Sequence, residues 1–264
     1  MPVLAVIPAR LDSTRLPRKP LQLLGGVPLV VRVYERVVAL GVADHCIVAT
    51  DATEVIDVCA KYHVPTVRTS AAHLSGTDRV AEVARHPDFG RYDIILNVQG
   101  DEPFVTAAAL NGAVHVVRSG GAPIGTAAAP ASAEVLQRAE VVKVVRADDG
   151  RALYFSRAAI PFLRDAADVA MRDAIVRQHV GVYAYTPAAL AAWVALPPHP
   201  LEMIERLEQL RPLAHGMMIG VAEVAAVERG IDTADDLLYA NLRWMQITAM
   251  NASAASQTLT MRNA

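Results

Sequence analysis

The chain has 264 residues, 53% of them hydrophobic and 20% charged, enough apolar side chain to offset ordering entropy and enough length for one large α/β domain or two small ones. An intrinsically disordered chain is excluded. Its 25 Lys and Arg stand against 27 Asp and Glu for a net charge of −2, and aromatics are only 5%, so neither a global basic field nor a set of base-stacking platforms is available for nucleic acid.

Val3 to Ile7 is a nearly all-apolar run with no basic segment before it, which reads as a doubly covered first strand rather than a signal peptide. A loop with Pro8, Pro17 and Pro20 follows. Val30, Val33, Val37 and Leu40 then recur at helical spacing, with Pro28 at the start and Gly41 past the end. Cys46–Ala49 reads as a strand, Thr53–Tyr62 as a helix and Val64–Val67 as a strand, which establishes a β-α-β-α-β alternation. The two cysteines, Cys46 and Cys59, lack metal-ligand spacing and read as reduced thiols of a cytoplasmic protein. Asp93–Val98 is the clearest buried strand, and polar residues cluster at its carboxyl end. Beyond a helix over Thr106–Arg118 the pattern is less regular, with strands at Pro123–Ala128, Val141–Val145, Leu153–Ser156 and Val180–Tyr185. A helix over Leu201–Leu210, a strand over Met217–Val224 and a helix from Thr233 to about Thr248 follow. Asn251–Ala264 is small and polar and reads as a flexible tail. No stretch approaches the ~18 consecutive apolar residues of a membrane helix.

The expected fold is a Rossmann-like, mostly parallel α/β sheet with a smaller β-rich insertion. Residues 1–250 form one domain, and ligands bind beyond the carboxyl ends of the strands. The loop after the first strand fits that place. It carries Arg10, Arg15 and Lys19 within ten positions, cations suited to neutralising a triphosphate. It is neither a Walker A loop nor G-x-G-x-x-G, and a solvated basic loop is the structural alternative. Asp101 and Asp232, each after a strand, are carboxylates able to share a Mg²⁺ whose octahedron substrate and water complete. Asp232 can equally be the N-cap of the last helix, and Asp101 or Glu102 a turn residue.

Seven segments in order carry a resemblance. Pro8–Leu21 fits P-A-R-x-x-S-T-R-L-P-x-K-P-L. It is followed by Ser75-Gly76-Thr77-Asp78-Arg79, Asn97-Val98-Gln99-Gly100-Asp101-Glu102-Pro103, Ala152–Arg157 (ALYFSR), His179–Tyr183 (HVGVY), Leu207–Arg211 (LEQLR) and Gly230–Thr233 (GIDT). Together they resemble the 3-deoxy-manno-octulosonate (Kdo) cytidylyltransferase, or CMP-Kdo synthetase, family. Arg18 departs from the pattern where Gly is common, and Gln178 replaces a basic residue.

The resemblance implies a Mg²⁺-dependent cytoplasmic enzyme that joins CTP and Kdo into CMP-Kdo and pyrophosphate for lipopolysaccharide synthesis. It also implies a homodimer whose contacts, like the sugar-acid pocket, come from residues 150–215. Arg10, Arg15, Lys19 and Asp101 are the implied catalytic residues. Ala9, Arg10, Ser13, Lys19, Ser75, Gly76, Thr77, Arg79 and Gln99 would bind the nucleotide, with the base in the Ser75–Arg79 loop. Gln99, Arg157, His179, Tyr183, Glu208 and Gln209 would bind the sugar acid, Arg157 by forking onto its carboxylate, and Asp101 and Asp232 would hold the metal. No residue stands out as a general base. The rival readings are a cytidylyltransferase for 8-amino-Kdo or a sialic acid, and a noncatalytic nucleotide-binding protein.

Overall fold

The computed structural model describes the backbone of residues 1–262 and the side chains of residues 1–250. β1 (Val3–Ala9) is buried at all seven positions. Val3, Ala5, Ile7 and Ala9 join one apolar cluster while Leu4 and Val6 join the other, as the two-residue period of a strand covered on both faces requires. A short hairpin, β2 (Leu23–Leu24) and β3 (Val27–Pro28), leads into α1 (Leu29–Leu40), which Gly41 ends at φ 64° in the left-handed conformation. β4 (His45–Thr50), α2 (Thr53–Lys61), β5 (Thr66–Arg68), α3 (Gly76–Arg85), β6 (Ile94–Asn97), α4 (Ala107–Arg118) and β7 (Ile124–Pro130) follow. The second half holds α5 (Ala133–Leu136), β8 (Lys143–Arg146), β9 (Ala152–Ser156), α6 (Val169–Ile175), β10 (Arg177–Tyr185), α7 (Pro187–Ala195), α8 (Pro200–Glu205), α9 (Leu210–Ala214), β11 (Ile219–Glu223) and α10 (Ala234–Arg262).

The main sheet runs β11-β7-β10-β6-β1-β4-β5, with β8 paired to β10 and to β9. β1 is parallel to both β4 and β6, and β11 is parallel to β7. β10 alone on this path runs against its neighbours, with Tyr183 opposite Asn97. Reversal brings the first half of β10, including His179 and Gly181, to the end of the sheet where β1 and β6 finish. That strand therefore supplies side chains to the same edge from the opposite chain direction.

Four expectations change in the folded chain. The helix expected over Leu201–Leu210 is two helices, α8 and α9, because Arg206 adopts φ 56° and turns the chain. Ser75–Arg79, expected as a loop, is the N-cap and first turn of α3. A tail was expected from Asn251, but α10 continues through Arg262; no Gly or Pro interrupts its length, and alanines at 252, 254 and 255 favour helix. Asn263 and Ala264 lie outside the described residues. Finally, α7 was not expected: PAALAAWVA is apolar around its circumference and offers no period, although Thr186 and Pro187 are an ordinary cap and first-turn pair.

Candidate active site

The carboxyl ends of β1, β4 and β6 converge on one cleft. Arg10 follows β1, Asp51 follows β4, and Gln99 to Asp101 follow β6. Lys19 sits at the centre, its ammonium 2.8 Å from both Asp101 Oδ2 and Asp232 Oδ1. Arg15 Nη2 lies 3.1 Å from the same Asp232 oxygen. Burial disfavours the Lys19 ammonium, but Asp101 and then Asp232 outweigh it and hold its pKa above the ordinary lysine value. Next to this pair, burial pushes the Glu102 carboxyl well above its usual range, and the charges of Asp101 and Asp232 push the same way.

Asp232 is free for this role because it does not cap α10. Thr233 does: its hydroxyl accepts the Asp236 N–H at 3.2 Å, while Asp236 Oδ2 accepts the N–H groups of Asp232 (3.1 Å) and Thr233 (2.9 Å). The same division of labour occurs at α3. There Ser75 and Asp78 form the capping box, which leaves the Thr77 hydroxyl to donate to Glu208 Oε2 at 2.6 Å.

Four cavities meet around these residues, the largest of them, about 650 Å³, lined by Arg15, Asp101, Glu102, His179 and Asp232. Of the other three, one, of about 390 Å³, lies between the phosphate loop and the β6 end and is lined by Arg10, Ser13, Arg15, Lys19, Gly76 and Gln99; Ala9 also faces it. A second, also about 390 Å³, is walled by Arg10, Asp51, Thr53, His73 and Arg79. Arg10 joins the two, with Nη1 donating to the Leu74 carbonyl at 2.8 Å and a buried Nη2 that has no protein partner. Arg79 is 1% exposed and ion-paired with Asp51 at 2.9 Å. It also donates to Thr69, while its Nε is buried with no protein partner, so Arg79 forms a wall and keeps one donor unmatched. Asp51 was missed in the sequence, although its place directly after a parallel strand was the signal for it.

The third cavity, about 320 Å³, opens on the far side of Asp101 and Asp232. Gln99, Arg157, His179, Tyr183, Glu208 and Gln209 all line it, so the structure brings together the whole set expected to bind the sugar acid. Two of them differ from expectation in what they offer. Arg157 has Nε on the Glu205 carbonyl at 2.9 Å and Nη1 on the Ala139 carbonyl at 3.2 Å, so backbone holds two of its three nitrogens and Nη2 is the end of the fork left for a ligand. His179 is held neutral, with burial lowering its pKa to about 3, and its Nε2 lies 2.9 Å from the Thr126 hydroxyl. That hydroxyl donates to the Val182 carbonyl at 2.7 Å, so the tautomer that fits carries its proton on Nε2. Tyr183, by contrast, has a buried hydroxyl without a protein partner. Burial keeps its phenol protonated, its pKa well above the ordinary value.

Two carboxylates that share one cation form a donor set suited to a hard divalent ion, which takes its remaining ligands from phosphate oxygens and water. Among the described residues no group of three or more His, Cys, Asp or Glu side chains is placed to hold a metal unaided. The thiols of Cys46 and Cys59 are raised by burial, to about 12 and about 11, and take no part.

Comparison with known proteins gives the same direction throughout. The family model described as Cytidylyltransferase matches residues 4–219. A 3-deoxy-manno-octulosonate cytidylyltransferase of Gemmatimonas aurantiaca is 69% identical over 254 residues, covering 96% of this chain and 98% of that protein. One of the same name from Wolinella succinogenes is 44% identical over 237 residues, covering 88% and 95%. A solved structure of CMP:2-keto-3-deoxy-manno-octonic acid synthetase complexed with CTP superposes with a TM-score of 0.85 at 35% identity, covering 93% of this chain and 99% of that one. The fold is shared more distantly with 4-diphosphocytidyl-2C-methyl-D-erythritol synthase of Anaerococcus prevotii, at a TM-score of 0.59 and 15% identity.

Proposed function

The chain belongs to the 3-deoxy-manno-octulosonate cytidylyltransferase family, and from that premise we propose that it joins CTP to Kdo, giving CMP-Kdo and pyrophosphate, a step in lipopolysaccharide synthesis. The observation that carries this reading is the Lys19 ammonium shared between Asp101 and Asp232 at 2.8 Å each, at the junction of the cationic cleft and the polar cavity.

In this reaction the anomeric oxygen of Kdo attacks the α-phosphorus of CTP, the new P–O bond forms as the bond to pyrophosphate breaks, and the hydroxyl proton is lost. Arg10, Arg15 and Lys19 neutralise the triphosphate and the charge that builds on the leaving pyrophosphate. Ala9, Ser13, Gly76 and Gln99 border the same cleft, and Ser75 and Thr77 set the first turn of α3 beside it. Asp101 and Asp232 would hold Mg²⁺, which when bound supplies Lewis-acid screening of the α-phosphate. Arg79, ion-paired to Asp51, shapes the adjoining cavity for the base. On the other side, Gln99, Tyr183, Glu208 and Gln209 present hydroxyl-compatible donors and acceptors to the sugar acid, and neutral His179 adds no charge to that wall. A positioned general base is not assigned.

The dimer reading has support of its own. Leu153, Phe162, Met171, Ile175, Met203 and Ile204 are large apolar side chains left exposed within residues 150–215, Phe162 at 86%, the kind of surface that a partner copy would cover. No helix among the described residues is long and apolar enough to cross a membrane, in keeping with a cytoplasmic setting.

Pyrophosphate release from CTP and Mg²⁺, with Kdo, 8-amino-Kdo or a sialic acid offered in turn, tests the proposal. Release with Kdo is expected. Release only with another acid would reassign the substrate, and none with any acid would leave a noncatalytic nucleotide-binding protein. Omitting the metal should abolish turnover.

A further inference from the structure

Lys143 has no solvent exposure and no part in the chemistry above. Its ammonium donates to three main-chain carbonyls, those of Arg138 at 2.9 Å, Val141 at 2.7 Å and Arg157 at 2.5 Å. The three donors of an ammonium are thus matched by backbone, and no carboxylate touches it. Burial lowers its pKa, Glu140 and Glu205 oppose that shift and Arg157 adds to it. A buried cation with no direct carboxylate partner is an expensive way to pack a β-ribbon, since an apolar side chain would fill the space without desolvating a charge.

The carbonyls it gathers come from the segment before β8 and from the residue after β9. Glu205, the last residue of α8, closes the same knot from the other side. Its carboxylate accepts the Ser156 hydroxyl at 2.6 Å and the Arg157 N–H at 2.9 Å, and its carbonyl accepts from Arg157 Nε at 2.9 Å. Immediately beyond it, Arg206 turns the chain at φ 56° and delivers Glu208 and Gln209 to the third cavity. The carbonyl of Val142, beside Lys143, accepts the His179 N–H at 2.9 Å. The knot therefore feeds the walls of the sugar-acid cavity; only Glu208 also borders the cationic cleft, and no bond of the knot reaches Arg10, Arg15 or Lys19.

We propose that Lys143 and Glu205 are a pair of positioning residues that fix the three walls of the sugar-acid cavity, carried by Arg157, by His179 and by Glu208 with Gln209, in register with one another. The assignment rests on the functional reading above for the identity of the ligand. It requires a selective effect, because slackening the knot moves the sugar-acid walls and leaves Arg10, Arg15 and Lys19 in place.

The test is steady-state pyrophosphate release by Glu205→Gln and Lys143→Met in the full chain, with Kdo and CTP varied separately and thermal unfolding recorded alongside. Glu205→Gln keeps the shape, removes the charge and replaces one of the two accepting oxygens with an NH2 donor. In both variants KM for Kdo should rise about tenfold or more while KM for CTP stays within about twofold. A lowered Tm with both KM values unchanged, or equal rises in the two, overturns the proposal. Should Lys143→Met fail to fold, Glu205→Gln decides by the same criterion. A wild-type protein that releases pyrophosphate with no sugar acid overturns the functional reading and the positioning role with it, whereas turnover by wild type without the split in the variants overturns the positioning role alone.

Discussion

Thr233 and Asp236 cap α10 by themselves, which leaves the Asp232 carboxylate to Lys19 and Arg15. Its removal should therefore cost chemistry and little stability. For Asp232→Asn, and likewise Asp101→Asn, pyrophosphate release should fall by ~100-fold or more, while the urea midpoint shifts by no more than about 1 kcal/mol in free energy, since both carboxylates are partly solvated and their ion pairs weak in stability terms. His179 gives a pH prediction of a different kind. Its folded pKa of about 3 lies below the ordinary histidine value, so between pH 6.5 and 3 the unfolded chain takes up a proton that the folded chain refuses. Stability contributed by the neutral imidazole is full above pH 6.5 and declines at about 1.4 kcal/mol per pH unit below it. Urea titrations of wild type and His179→Gln from pH 7 to 4 should converge as the pH falls; parallel curves would show that the ring is not buried neutral.

At the level of elements, the last helix and the first hairpin hold each other. Asn241 Oδ1 accepts the Gly25 N–H at 2.9 Å, and its amide donates to the Leu23 carbonyl at 3.1 Å. Gly25 has φ +56°, and a Cβ there would stand 2.4 Å from Trp244. Gly25→Ala should therefore destabilise the fold by about 1–3 kcal/mol and loosen α10 at its Trp244 end, read as a lowered unfolding midpoint together with a changed tryptophan emission. Elements whose signal is local were legible in the sequence: the apolar runs of β1, β4 and β6, the period of α1 with Gly41 behind it, and the strand-end loop with its three cations. The direction of β10 was not, because a buried apolar strand reads the same either way and only its pairing with β6 and β7 orients it. Nor was the break between α8 and α9, since Arg at position 206 carries no turn signal although it is the left-handed C-cap of α8, where the Leu207 N–H closes onto the Glu202 carbonyl at 3.2 Å. At the site, motif order picked out residues that the fold brings to one set of adjoining cavities, but whether a guanidinium is free was beyond it. Arg157 and Arg79 read as ligand donors and turn out to be bound largely by their own protein.

Across the whole molecule, the cleft draws on segments from the first strand to the last helix. If the exposed Phe162 and Ile204 side chains are covered by a second copy, the wild-type chain should sediment as two copies and a doubly charged Phe162→Glu, Ile204→Glu variant as one, with the fold retained by circular dichroism. The Lys19–Asp232 bond also joins residues 213 positions apart, and this separation has a consequence in time. During synthesis the cationic loop emerges among the first residues and Asp232 near the end, so on the proposed function a nascent chain would lack the second carboxylate of its cleft until the segment before α10 is in place. On that reading activity should be an end-point signal for folding. On dilution from denaturant, recovery of pyrophosphate release should track the slow change in Trp244 emission as the helix docks under Arg32, whose guanidinium lies 4.3 Å from that ring, and should not run ahead of it.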